Sequence, residues 1–426
     1  MHTILAALVL ATVPVTVDAA ARADYAKQGT EAVYTRYIWL PSEKADLPAH
    51  GAALAFTICS TSRDRNLDRQ LPVEIAPGLY RINLSYLQWS GKAWDKALAK
   101  YPYGVPNSLI VRGDWLALQL SDGVESSAYY DLLYDKPPKS RDEFLAVWGV
   151  DRVKKAGKEF GLIEGESGVS KAGIRWIESW PADDGRAWGT RDSAKIDAAS
   201  DPLQKPDGSF KHDAEEWIAP IQKQSYRHDS HGLAQAYLLS NGQGAIQQRA
   251  PVDIVEDYDR TRGLAEIRNP ISCHGCHSAG LNMPTRNELR RVIRNGIEVY
   301  EYSKARQEFL ERFHLSGLGK TLERPNADFA TFLQACNGLK PADNLRAYRS
   351  LIQGYLAPVD AARAARDIGA TTDEVRLAIA DASGKKVHVG VRLADIAHGG
   401  SVPVTVYEQQ YGALVAYLGE WRRGIK

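Results

Sequence analysis

Hydrophobic and polar positions change period along this 426-residue chain, and the change divides it into two regions. In the first, periods mix. Residues 52–62 (AALAFTICSTS) predict a short helix that runs into polar residues, and 141–151 (RDEFLAVWGVD) predict another. Residues 71–85 (LPVEIAPGLYRINLS) alternate as two strands around a Pro77-Gly78 turn. The stretches 173–181 (GIRWIESWP) and 186–193 (RAWGTRDS) read as further strands. Residues 237–251 (YLLSNGQGAIQQRAP) predict two strands joined through Asn241-Gly242, the strongest short-range hairpin signal. The polar, Pro- and Gly-bearing run 195–217 reads as an exposed loop. Eight tryptophans in this region (Trp89, Trp94, Trp115, Trp148, Trp176, Trp180, Trp188 and Trp217) are expected in the core.

From Pro284 onward the period becomes helical. Thr285 and Glu288 form a capping box ahead of Leu289, Val292, Ile293, Val299 and Tyr300, and Phe309, Leu310 and Phe313 continue the pattern. Residues 328–336 and 343–356 supply two amphipathic helices, the second with Leu345, Tyr348, Leu351, Ile352 and Tyr355 on one stripe. Further capping boxes are expected at Thr371–Glu374 and Thr405–Glu408, the latter opening a last helix that ends near Trp421. Residues 359–380 have the outline of a helix-turn-helix. The second helix, DEVRLAIAD, lacks the basic surface that DNA binding needs, so a structural helix pair is expected.

Composition narrows the class. A formal net charge of +1 argues neither for nucleic acid as a partner nor for disorder. The N-terminus carries an apolar run from about Ile4 to Val17, then small residues ending Ala21-Arg22-Ala23. That is the layout of a cleavable signal peptide over 1–23, although the basic n-region is missing. The competing reading is an uncleaved anchor or a buried N-terminal helix. No later segment is long and apolar enough to span a bilayer, so an exported, periplasmic protein with no transmembrane segment in its mature chain is expected. Four cysteines are too few for a disulfide scaffold. Cys59 and Cys336 stand either as a pair tying the two regions together or as buried free thiols.

The other two lie in ISCHGCHSAG, residues 271–280: Cys273, Cys276 and, directly after, His277. This C-x-x-C-H spacing suits covalent heme c, because two thiols add to the porphyrin vinyl groups and the adjoining imidazole then meets the iron. With four cysteines and ten histidines, a chance match arises about once in a thousand such chains. A zinc site would need further ligands, and no second C-x-x-C or H-x-x-x-H pair accompanies the motif. A thioredoxin-like dithiol would need a strand-to-helix junction, which AEIRNPIS and the following proline do not supply. Cys273 and Cys276 are therefore assigned to the porphyrin and His277 to the iron. His274 between them is expected to be a solvent-facing spacer. Met283 is a candidate sixth ligand, on a tight path only six residues after His277. His314, His388, His398, His228 and His231 are others, and an open iron is allowed. No acid/base pair, nucleophile–His pair or phosphate-cradling glycine loop stands out.

Several stretches, in order, carry a resemblance: RYIWLP, GLYRINLSYLQW, DWLALQLS, YYDLLYD, HGLAQAYLLSNGQGAIQQRAPVDIVED and IRNPISCHGCHSAG. Together they resemble a group of exported mono-heme c-type proteins abundant in planctomycetes and related bacteria, poorly characterised, with a hairpin before a single heme site and a helical tail after it. The resemblance implies one heme c at Cys273, Cys276 and His277, and electron transfer as the default role, without naming a substrate or partner. Where relatives often carry LPNGL, this chain has HDSHGL at 228–233.

The expectation is thus α+β: an α+β domain with an antiparallel sheet over 24–265, then an all-α, cytochrome c-like heme domain over 266–426. The expected function is single-electron transfer with an unidentified redox partner protein. A heme-dependent enzyme of peroxidase or oxidase type, or a heme-bearing binding or sensor module, stands as the alternative.

Overall fold

The computed structural model describes residues 15–104, 109–122, 128–152, 159–164, 169–202, 204–205, 208–224, 231–282, 303–304, 307–308 and 318–424. The first region runs α1 (Val15–Tyr25), β1 (Thr35–Trp39), α2 (Leu47–Ser60), α3 (Leu67–Gln70), β2 (Val73–Ala76), β3 (Leu79–Asn83), α4 (Gly91–Ala97), β4 (Ile110–Arg112), α5 (Gly113–Ser121), α6 (Tyr129–Leu133) and α7 (Arg141–Val147). It continues with β5 (Glu159–Glu164), β6 (Ile174–Ala182), β7 (Gly185–Asp192), β8 (Ala214–Gln224), β9 (His231–Asn241) and β10 (Ile246–Gln247). The second holds α8 (Ile271–His277), α9 (Leu318–Asn337), α10 (Pro341–Leu356), α11 (Ala361–Ile368), α12 (Thr372–Gly384), α13 (His388–Arg392), α14 (Ala394–Ala397) and α15 (Val404–Arg422). The α+β class expected from the pattern is what the chain adopts.

Two sheets form. A four-stranded sheet in the order β2-β3-β1-β4 is mixed, with β4 parallel to β1. The Pro77-Gly78 turn joins β2 to β3 as expected, and Gly78 holds φ +71°, a conformation that favours glycine. One face of this sheet (Tyr37, Trp39, Leu79, Ile110) packs beneath Ala21 of α1, while Ile38, Ile82 and Val111 enter the main core. Helix α1 crosses residue 23, where the leader was expected to end. Just past that point, Asp24 accepts hydrogen bonds from Tyr37 Oη (2.7 Å) and Arg81 Nη1 (2.8 Å).

The second sheet is fully antiparallel, in the order β10-β9-β8-β7-β6-β5. Pleating sends alternate residues to opposite faces. Trp176, Trp180, Ala187, Trp217, Ala219, Ala234, Ala236 and Leu238 enter the main core, whereas Trp188, Ile218 and Tyr237 line up across three strands on the other face. Gly189 opposes Trp217, and a Cβ there would overlap the indole. Strand β8 corrects the loop expected over 195–217, which ends at Asp213. Its charges are balanced in place, Glu215 by Arg141 (2.7 Å) and Glu216 by Arg175 (3.0 Å), so a polar-looking segment runs through the sheet interior. The Asn241-Gly242 hairpin forms with a longer loop than a two-residue turn. Ile246 pairs with Ser240, and Asn241 Oδ1 accepts from Gln243 and Ala245 N–H (both 3.0 Å). Because β10 pairs only with the last residues of β9, the rest of that edge is left to α9, which packs along it; a Cβ on Gly232 would overlap the Phe332 backbone.

The tryptophans behave as the composition suggested, all of the eight but the partly exposed Trp148 being buried. Helix α7 is capped by Ser140 and α12 by the Thr371–Glu374 box. The Thr405 box does not form. Helix α15 starts two residues earlier, at Val404 behind Pro403, and Glu408 accepts instead from Tyr355 Oη. Residues 285–300 and 309–313 lie outside the described residues. Apolar packing runs without a break across residue 265: Phe56 of α2 meets Phe329 of α9 and Tyr348 of α10 edge-on and packs at a tilt against Phe332 of α9. No helix among the described residues is long and apolar enough to cross a membrane.

Candidate heme attachment site

The motif helix α8 is short and is held from every side. Ahead of it, Asn269 is wholly buried and donates to Tyr130 Oη (2.7 Å), while Arg268 pairs with Asp122 (3.3 Å) and Glu266 (2.7 Å). A helix this short leaves its last carbonyls without intrahelical partners. Helix α10 supplies them: Arg349 donates to Gly275 O through Nε (2.9 Å) and Nη2 (2.7 Å), and Asn344 donates to Ser278 O (2.8 Å). Past the helix, Asn326 of α9 clamps the chain twice, accepting from Leu281 N–H (2.7 Å) and donating to Leu281 O (2.9 Å). Gly275 is fixed by space, since a Cβ there would overlap the Thr261 hydroxyl.

On this frame Cys273 and Cys276 stand three apart, nearly one turn, and share a side of the helix. Cys273 is buried in an apolar group with Trp188, Ile218, Tyr237, Leu281 and Leu322. Its thiol lies 3.7 Å from Asn269 Oδ1, and burial, with Glu216 beside it, pushes it well above the ordinary cysteine range. Cys276 is partly exposed, and burial together with Asp257 and Glu216 pushes its thiol up to about 12. Neither is a thiolate at neutral pH, which is the opposite of what a reactive dithiol requires.

His277 follows with its ring parallel to that of Tyr237 at 6.2 Å between centroids. Its Nδ1 lies 3.4 Å from Gly280 O and its Nε2 3.8 Å from Glu216 Oε1. Burial lowers its basicity, and Glu216 opposes that. Glu216, which also takes Arg175 Nη2, is pulled below the ordinary carboxylate range; burial raises it, and Arg175 and His277 outweigh that. His274 corrects the spacer expectation. It is fully buried among the rings of Phe56, Tyr237 and Tyr348, with Nδ1 3.5 Å from Ser121 Oγ and Nε2 unpartnered. Burial, then the neighbouring His277, drops its pKa to about 3, so it packs as a neutral aromatic that pins the motif to α2 and α10.

Of the candidate sixth ligands, Met283, His228 and His314 lie outside the described residues, as does the side chain of His231. His388 is bonded to Gln410 (3.2 Å) among the last helices, and His398 is exposed at the end of α14; the structure brings neither to the motif. Residues that the motif did not disclose are the wall of Trp188, Ile218 and Tyr237, the charged pair Glu216–Arg175, and the clamps Asn326, Asn344 and Arg349. The one available signal was the alternation of β7 and β9, which places Trp188 and Tyr237 on a face of their own.

These residues fit a c-type heme. Two neutral thiols share a side of one helix, the adjoining imidazole turns Nδ1 toward a carbonyl and its Nε2 toward Glu216, and the surround joins an aromatic and aliphatic wall to the Glu216–Arg175 pair. No family model, curated protein or solved structure matches this chain, so the reading of the site rests on its own residues.

Proposed function

We propose that the chain is an exported c-type cytochrome that carries one heme c and passes single electrons to a redox partner protein. The observation that carries this reading is the arrangement of Cys273, Cys276 and His277 on α8, with the His277 Nδ1 near Gly280 O. Cys273 and Cys276 would add their Sγ atoms across the two porphyrin vinyl groups, and His277 would give its Nε2 to the iron. Heme, once attached, supplies a one-electron Fe(III)/Fe(II) couple. The chain's own contribution is the apolar wall of Trp188, Ile218, Tyr237, Leu281 and Leu322, which excludes water from that side. The Glu216–Arg175 pair adds fixed charge close to His277, a means of biasing the couple. Cys276 and His277 are partly exposed, which suits electron exchange at the surface. The helical region after residue 265 is read as the cytochrome c-like part, with the sheet of the first region as its second wall.

The test is production with the heme c maturation machinery, followed by a pyridine hemochrome and heme staining of denatured protein. Covalent heme in the wild type and its loss in Cys273→Ser with Cys276→Ser is the expected outcome, and His277→Ala is expected to change the ferric spectrum. An unloaded wild type beside a loaded control cytochrome overturns the reading. The N-terminal sequence of the same preparation is expected to begin at or near Asp24 if the leader is removed as proposed; a chain that retains α1 intact would mean the competing buried-helix reading is right.

A further inference from the structure

Two thiols remain outside the site. Cys59 sits in the last turn of α2 and Cys336 near the end of α9, far apart in sequence, and both are buried in the main core. Their helices pack together, and Asn337 Nδ2, next to Cys336, donates to Ala52 O of α2 (3.1 Å). The two thiols interact directly. Beside them lies Lys223 of β8, only 1% exposed, whose ammonium is held by Ser62 O (2.8 Å), Asp64 O (2.9 Å) and Gln70 Oε1 (3.0 Å). Burial, then the neighbouring Cys59, raises the Cys336 thiol well above the ordinary cysteine range, and Lys223 opposes this only in part, so exchange belongs to the folding chain, before the core closes over the two thiols.

We propose that Cys59 and Cys336 form a disulfide that braces the heme site. In the step, one cysteine thiolate attacks a small-molecule or protein disulfide RSSR and expels RS⁻. The second thiolate then attacks the mixed disulfide and expels the other RS⁻. Overall, two protein thiols and one RSSR become one protein disulfide and two RSH, with the oxidant supplied by the disulfide class of reagent. The bond joins α2, whose Phe56 packs on His274, to α9, whose Leu322 and Asn326 border the motif. An oxidising compartment rests on the export reading, but the chemistry does not, so it is tested on purified full-length protein.

The protein is reduced, refolded with oxidised and reduced glutathione, alkylated under denaturing conditions and digested. A peptide pair linking Cys59 to Cys336 that vanishes with dithiothreitol is the expected result. Alkylation of both residues, or linkage of either to Cys273 or Cys276, overturns the proposal whatever the compartment. On the linked protein, selective reduction is expected to lower the urea midpoint by about 1 M; no shift means the bond braces nothing. The variants Cys59→Ser and Cys336→Ser are each expected to show one more free thiol than the wild type on denaturation; one fewer means that the pair never forms.

Discussion

Glu215 shows how a single residue binds the sheet to its neighbours. Its side chain is fully buried and accepts from Arg141 Nη1 (2.7 Å), His212 Nε2 (2.6 Å), Trp217 Nε1 (3.1 Å) and Ser240 Oγ (2.8 Å). Burial alone would raise its pKa, but the bonds from His212 and Arg141 outweigh it and bring the carboxyl down to about 2. A folded-state value below the unfolded one stabilises the fold above about pH 4.5, and that stabilisation is lost as pH falls toward 2. Glu215→Gln is therefore expected to cost roughly 3 kcal/mol at pH 7 and to flatten the acid side of the stability profile, read by urea titration between pH 2 and 7. An unchanged acid slope would count against Glu215 as its source. At this scale the sequence disclosed only residues whose spacing is itself chemistry. Cys273, Cys276 and His277 are legible because the C-x-x-C-H spacing, on which the proposed heme attachment rests, is local. Glu216, Trp188 and Tyr237 reach the same site from three strands; alternation sets Trp188 and Tyr237 on a face of their own, but only packing brings that face to the motif.

The elements divide by how local their causes are. Helices with caps written beside them, at Ser140 and Thr371, form where the pattern places them, since a side-chain oxygen and the first turn are neighbours in the chain. Strand β8 escaped that reading because its charges are compensated by Arg141 and Arg175, which no window around residues 214–224 contains or weighs as partners. The ends of α8 are likewise completed from a distance, by α10. Arg349→Ala removes two donors from Gly275 O and the Asp259 ion pair, and is expected to lower stability by about 1–2 kcal/mol and to reduce heme loading during maturation. Thermal melts beside heme-to-protein ratios check it, and full loading with unchanged melting would show the cap to be dispensable.

At the scale of the molecule the decisive fact is the unbroken core across residue 265. Phe56, Phe329, Phe332 and Tyr348 interlock, and the buried Arg112 is held by Asp114 (2.7 Å) of the first region and Asp367 (2.5 Å) of the second. A fragment of residues 266–426 is accordingly expected to fail to fold cooperatively, with dye binding and no sharp thermal transition; a cooperative, heme-loading fragment would refute that. The Cys59–Cys336 bond proposed above would act at this scale too, since closing so long a loop restricts the unfolded chain by up to about 5 kcal/mol. The sequence by itself determined the class of fold, the helical tail, most strands and the C-x-x-C-H motif on which the proposed attachment rests, because each of these is specified by periodicity or spacing within a few residues. Only the tertiary structure decided that His274 is core and not surface, that β8 is a strand, that Cys59 meets Cys336, and that a sheet face from the first region walls the motif of the second. Those outcomes depend on partners brought together by packing, and burial, not local pattern, sets their chemistry.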